Sequence, residues 1–283
     1  MIESIKKKIK TGDIVQKRIA FNDFIRLGYN IEKLVEDSDF LFDEENHVYT
    51  HNGTQLESVS TFAKNFYKPF NSAAISAAIS KRTGVPREEI LSEWRYAGTF
   101  GSECHFHIEN YIRDKIMFES LTGWSDENVF ERLTRWEKTY KELIEPFYEV
   151  VSLELRLFNK KLGLAGTIDA LFRKDGKYYI FDWKTNKRMD TDEDRCYSMM
   201  LDPFTDQKDN HLNKYSIQLC LYAILLEEYG VEVGGMYICH VGPEGPGRVI
   251  ECKDYRSKLR FYVNKYKKKK DIKEIKNKMF CPI

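Results

Sequence analysis

The sequence has no apolar run near the roughly 20 residues that a membrane-crossing helix requires, which argues against a membrane partner. It has six cysteines, and no two form a C-x-x-C pair. Cys104, Cys196, Cys220, Cys239, Cys252 and Cys281 stand singly. That pattern argues against a zinc ribbon, and in a chain of 283 residues it points to a reducing compartment rather than a disulfide framework. The opening stretch MIESIKKKIKTGDIVQKRIA is basic, but it lacks an apolar h-region and a small-residue cleavage site, so secretion is not expected. Glu3 and Asp13 interrupt it, unlike a transit peptide. No internal repeat or low-complexity linker divides the chain. An intracellular location, cytoplasm or nucleus, is the expectation.

What is present suits a sizeable core: 42% hydrophobic residues, 14% aromatic, 31% charged. The net charge of +1 says little as a sum. Its distribution says more, because KLRFYVNKYKKKKDIKEIKNK near the C-terminus is strongly basic. Residues 1–40 read as helical from their three- and four-residue apolar spacing. His47–Thr50 and Gln55–Val59 read as two strands around Asn52-Gly53, a hairpin signal, with Ser60 or Thr61 capping a helix. NSAAISAAISKRTG reads as a helix ending near Gly84, GSECHFHIENYIRDKIMF as another, and NVFERLTRWEKTYKELIEPFYEV as a third, stopped by Pro146.

VVSLELRLF over 150–158 alternates like a half-buried strand. LAGTIDALFRK and KYYIFDWKT are two more, joined by the turn dipeptide Asp175-Gly176. KYSIQLCLYAILLEEYG is an amphipathic helix closed by Gly230, GGMYICHVG a strand and DYRSKLRFYVNKYKKKK a last helix. This order predicts an α/β fold, a central mixed sheet flanked by helices. The expected organisation is an N-terminal helical region with a hairpin over 1–95, packed on a core over 96–283.

The stretch GTIDALFRKDGKYYIFDWKT carries the chemistry. Side chains alternate along a strand, so Asp182 and Lys184 share a face. If the two strands pair, Asp169 converges on Asp182 at one end of the sheet. Two neighbouring carboxylates repel unless a cation lies between them. Mg²⁺ or Mn²⁺ suits such oxygen ligands, and one or two ions are expected. A metal with a lysine beside it serves phosphodiester hydrolysis, which needs an activated water and charge stabilisation at phosphorus.

GTID followed by DWKT resembles motifs two and three of the PD-(D/E)XK nuclease superfamily, in the form of its RecB-like branch of phage and mitochondrial exonucleases. GSECHFHIENY resembles the G-[ST]-x-x-H-x-x-[IL]-E motif of that branch, and QLCLY its Q-x-x-x-Y helix. His105 and Glu109 are four residues apart, as are Gln218 and Tyr222, so each pair shares a helix face.

The resemblance covers roughly 98–240 and implies a restriction-endonuclease-like core. It implies catalytic roles for Lys184, Asp169, Asp182, Glu109 and Gln218. Metal ligands would be Glu109, Asp169, Asp182, the Trp183 carbonyl and His105. His105, Ser102, Tyr222 and Lys187 would contact substrate. The implied partner is DNA, single-stranded or with a free end, alongside recombination or replication proteins. Iron–sulfur members of the family carry a cysteine before the first motif and a three-cysteine cluster near the C-terminus. Neither pattern is present, so no iron–sulfur cluster is expected.

Singly, each signal has a plainer reading. A lone D-x-K is a solvated strand end, His105–Glu109 a surface helix pair, and Gln218–Tyr222 ordinary helix positions. The ordered set of four motifs outweighs these readings. His107 falls on another helix face and is not assigned, and His240 reads as structural. Asp190, Asp192, Glu193 and Asp194 read as a solvated loop rather than a second metal site. The C-terminal lysines with Tyr262 and Tyr266 are either a solvated helix face or a DNA contact. Two rival functions remain at this point, an inert DNA-binding protein on the same fold and an RNA endonuclease.

Overall fold

The computed structural model describes residues 39–43, 46–114 and 127–264. In chain order the strands are β1 (Phe40–Asp43), β2 (Val48–His51), β3 (Thr54–Ser58), β4 (Glu149–Asn159), β5 (Leu164–Lys174), β6 (Lys177–Lys184), β7 (Val233–His240) and β8 (Arg248–Glu251). The helices are α1 (Val59–Ala63), α2 (Ser72–Thr83), α3 (Arg87–Asp114), α4 (Glu127–Leu143), α5 (His211–Glu227) and α6, described over 256–264. The strands form one mixed sheet in the order β1-β2-β3-β5-β6-β7-β8, with β4 paired to β5. This is the expected α/β sheet with flanking helices, consistent with a restriction-endonuclease-like core. None of the described helices is long and apolar enough to cross a membrane.

The central element is the antiparallel run β4-β5-β6. Asp175 and Gly176 take φ values of 50° and 76°, the left-handed pair that a two-residue hairpin turn requires. That turn sets Lys174 opposite Lys177 and Ala170 opposite Phe181. β7 then joins β6 in parallel, with Asp182 opposite Ile238 and Lys184 opposite His240.

Alternation divides the core between the two faces of the sheet. Leu171, Ile180 and Ile238 pack with α5 and α1, while Ala170, Phe172, Phe181 and Trp183 pack with α3 and α4; the alternation of β5 breaks at Asp169, since Ile168 joins the α5 side although it is two residues from Ala170. Each fully buried side chain of this size contributes about 1.5–3 kcal/mol. Asp182 and Lys184 therefore face α5, and Trp183 faces α3 and α4.

Several local readings change in the structure. The helix cap after β3 is Ser58, whose Oγ accepts from the Thr61 amide, rather than Ser60 or Thr61. The helix expected to begin near Gly101 starts at Arg87, because Pro86 stands just before its first turn and Glu88 and Glu89 favour its positive end. α5 is not one-faced: residues from Leu212 to Leu226 are buried on most sides. The short edge strands β1 and β8 had no alternation long enough to betray them. Tyr262 is not a free stacking ring, since it lies edge-on to Phe66 at 5.0 Å. Helicity over 1–38, and the roles considered for Lys265, Tyr266 and Lys267–Lys270, fall outside the described residues.

Candidate metal centre and cleft

A strand has two edges, and β5 divides one of them between two partners. β4 pairs along the other edge, from Glu149 opposite Arg173 to Asn159 opposite Leu164. On the divided edge β6 pairs with Ala170–Lys174, and β3 pairs with Leu164 and Ala165. The ladders part between them, at Gly166–Asp169. β6 leaves β5 after Phe181 and continues against β7 alone. A cleft opens in this fork. Asp169 stands at its apex and fastens it, because its Oδ2 accepts the Trp183 main-chain amide at 2.9 Å.

Three ligand-type side chains meet at the fork: His105 from α3, Glu154 from β4 and Asp169 from β5. Their donor atoms lie within 4.8 Å of one another. Leu153 faces Ala170 and Leu155 faces Ile168, so Glu154 stands opposite Asp169. Its φ is +49°, a left-handed conformation that costs a non-glycine residue about 1–2 kcal/mol. His105 Nε2–H donates to the Trp183 carbonyl at 2.9 Å, and Nδ1 lies 3.5 Å from Asp169 Oδ2.

Burial, and then the Asp169 charge, push the Glu154 carboxyl up to about 8, against the pull of Arg156 and Arg113. Burial likewise raises Asp182, which the Lys184 ammonium opposes. Burial works to discharge Lys184, but the Asp182 and Asp169 carboxylates outweigh it and hold the proton on.

A divalent cation fits this donor set. Imidazole nitrogen and carboxylate oxygen both ligate first-row divalent ions, and the charges of Arg156 and Arg113 do not offset the burial of Glu154 beside Asp169. Asp182 Oδ2 is buried and lies against Lys184 Nζ without a hydrogen bond of acceptable geometry.

The facing wall is α5. Gln218 Nε2 donates to Tyr222 Oη at 3.4 Å, and the Tyr215 ring lies 5.0 Å from Lys184 Nζ. Tyr222 is packed against the GTID glycine. A Cβ on Gly166 would sit 2.6 Å from Tyr222 Cε1 and 3.3 Å from Val59 Cβ. The glycine therefore makes room for the tyrosine of another motif.

Not every residue of the expected set joins the cluster. Glu109, one turn beyond His105, is engaged by Arg113 in an ion pair. The Ser102 hydroxyl donates back to the Gly98 carbonyl at 3.2 Å and is exposed. Lys187 pairs with Glu93 on α3. Of the residues set aside, His240 Nε2–H donates to the Asn186 carbonyl at 2.8 Å, and burial lowers the proton affinity of His107. Asp190 pairs with Arg188 and His211, Asp192 with Lys253, and Asp194 caps the Thr191 amide, so this acidic loop is braced by its own contacts.

Three contributors escaped the sequence reading. Glu154 looked like an outward polar position of an alternating strand, and only its place opposite Asp169 marks it. Tyr215 lies one turn before Gln218, which was the available signal. Arg132 of α4 is buried and donates to the carbonyls of Thr185 and Val241, clamping the ends of β6 and β7.

No characterised protein matches the sequence significantly. The profile of the PD-(D/E)XK nuclease superfamily matches residues 97–283, a span that contains His105, Glu154, Asp169, Asp182 and Lys184, and the chain belongs to that superfamily.

Proposed function

We propose that this protein is a metal-dependent deoxyribonuclease, an exonuclease acting on single-stranded or flapped DNA ends in repair, recombination or replication, in the manner of phage or large-virus enzymes. The observation that carries the reading is the meeting of His105, Glu154 and Asp169 beside the Asp182–Lys184 pair. His105, Glu154, Asp169 and Asp182 would hold Mg²⁺ or Mn²⁺, which supplies Lewis-acid charge at the phosphate and makes a water acidic. Glu109 and the Trp183 carbonyl complete the ligand set that the family resemblance implies.

Lys184 keeps its proton because two carboxylates face it. In that state it offers a positive charge to the phosphoryl oxygens. Asp182 orients it. Gln218 and Tyr222 line the opposite wall, where they contact the scissile phosphate, and Ser102 and Lys187 contact the strand at the cleft mouth.

The test uses DNA labelled separately at each end, as single strand, duplex and flap, with Mg²⁺, Mn²⁺ or EDTA. Wild-type protein is expected to cleave only with metal, and Lys184→Met to lose about 10²–10³-fold in rate. Binding without cleavage by any metal-loaded sample would reassign the protein as an inert DNA-binding member of the fold. Cleavage of RNA alone would make it a ribonuclease.

A further inference from the structure

α2 and the first half of α3 stand away from the sheet. Of α2, only Ser76 is buried, and between Arg87 and Thr99 only Ile90 is. Two aromatic rings meet at the base of this helical hairpin. Phe70, 67% exposed, lies 5.1 Å from Trp94 at an interplanar angle of 64°. Tyr96 is also 46% exposed. Trp94 is half-buried, but Phe70 and Tyr96 are left in water, and each forgoes a large burial gain.

The surroundings say which partner suits them. Lys68, two residues before Phe70, and Arg95, next after Trp94, are exposed and make no ion pair among the described residues. Glu93, the nearest acid in sequence, is neutralised by Lys187. Cations set beside open aromatic rings are the pattern that binds single-stranded nucleic acid, in which phosphates meet the charges and unpaired bases stack on the rings.

The rings also lead to the fork. At about 100° per residue, Trp94, Gly98, Gly101 and His105 fall along one face of α3. Trp94 is about 16 Å along the axis from His105 at 1.5 Å per residue. Gly98 has no other atom within 4 Å of where a Cβ would stand, so nothing inside the protein requires a glycine there. A glycine within a helix costs about 1 kcal/mol relative to alanine. The bare backbone instead lets a strand lie close along the helix. Gly101 lies beside Thr185 Oγ1, at 3.6 Å from its Cβ position, where β6 ends.

We propose that Phe70 and Trp94 form a stacking platform for the bases of single-stranded nucleic acid, with Lys68 and Arg95 on its phosphates, feeding the strand along α3 to the metal cluster. This rests on the nuclease reading for the destination of the strand.

The experiment measures anisotropy of a fluorescein-labelled oligothymidine in EDTA with wild type, Trp94→Ala, Phe70→Ala and Phe147→Ala. Phe147 is a control, 55% exposed beside Lys174 at the opposite end of β5. Circular dichroism confirms folding; Phe70 and Phe147 are exposed and Trp94 is half-buried. Trp94→Ala and Phe70→Ala are each expected to weaken binding about 10-fold or more, and Phe147→Ala less than about twofold. Equal affinity of all four proteins overturns the platform, as does absence of strand binding by wild type. Unchanged strand affinity with lost self-association in sedimentation would assign the rings to a second copy and also overturn it. A wild type that binds but never cleaves sinks the nuclease reading and leaves the platform standing.

Discussion

The two walls of the cleft are built on opposite terms. α5 is enclosed: most of its residues from Leu212 to Leu226 are buried, including the polar Asn213 and Ser216. α3 is enclosed mainly from Phe100 onward, and in its first half only Ile90 is buried. Their charges differ too. On the α5 side, Lys184 and Asp182 neutralise each other. On the α3 side, Glu154, Asp169 and His105 cluster, and the pull of Arg156 and Arg113 does not offset the burial of Glu154. One wall is settled by its own packing and pairing. The other is settled by what binds to it. Substitutions on the first should therefore register mainly as lost stability, and on the second as altered binding.

Tyr222→Ala should be the most damaging to stability, about 3–5 kcal/mol by urea unfolding, because it empties a buried site against Gly166 and Val59. A loss under about 1 kcal/mol would mean that the α5 wall is not the fixed one. Gly166→Ala should cost about 1–3 kcal/mol through overpacking. The same change made in a Tyr222→Ala background should cost much less, since the clashing ring is gone, and a double-mutant cycle reads that coupling. Simple additivity would break the contact.

The α3 side gives a pH signature. Glu154 binds its proton up to about pH 8 in the folded protein, but only to its ordinary value of about 4.5 when unfolded. Below about 4.5 both states are protonated. As pH rises from there to about 8, only the unfolded chain releases the proton, so this group's contribution to stability declines, and above about 8 it is flat. Metal-free wild type should accordingly lose melting temperature over that window more steeply than Glu154→Gln. Mn²⁺ should raise the wild-type melting temperature more at pH 8 than at pH 5, and that increment should shrink in the variant. Parallel pH curves for the two proteins would show that Glu154 is not the unsettled charge.

The smallest effect gives the finest contrast. Gly98→Ala fills open space in a helix and should stabilise the protein by up to about 1 kcal/mol, the reverse of Gly166→Ala. If a strand lies along α3, the same change weakens oligothymidine binding. Gained stability with unaltered affinity would mean that the glycine does not serve the substrate.

The hairpin, its turn and the two aspartates were legible because their information is local: a turn dipeptide, two-residue alternation and a short motif. The α5 motif was legible as spacing, but its burial was not, because LCLYAILL names a hydrophobic helix without saying how many sides are covered. Glu154 was not legible. In VVSLELRLF it occupies a polar slot of a regular alternation, and its left-handed backbone belongs to the folded strand. The early start of α3 was masked by Gly98 and Gly101, whose low helix propensity reads as a break. What they leave open is visible only once the helix lies across the end of β6.

The turn at Asp175-Gly176 touches nothing in the cleft, yet it decides what the cleft contains. It fixes which residue of β6 lies opposite which residue of β5. A slip of one residue would swing Asp182 toward α4 and put the Trp183 indole where the lysine's partner belongs. The chemistry is in this sense addressed by counting: seven residues after Asp175 comes the carboxylate, and nine after it the ammonium. An insertion in that loop would leave every functional side chain in the sequence and yet misplace Asp182 and Lys184.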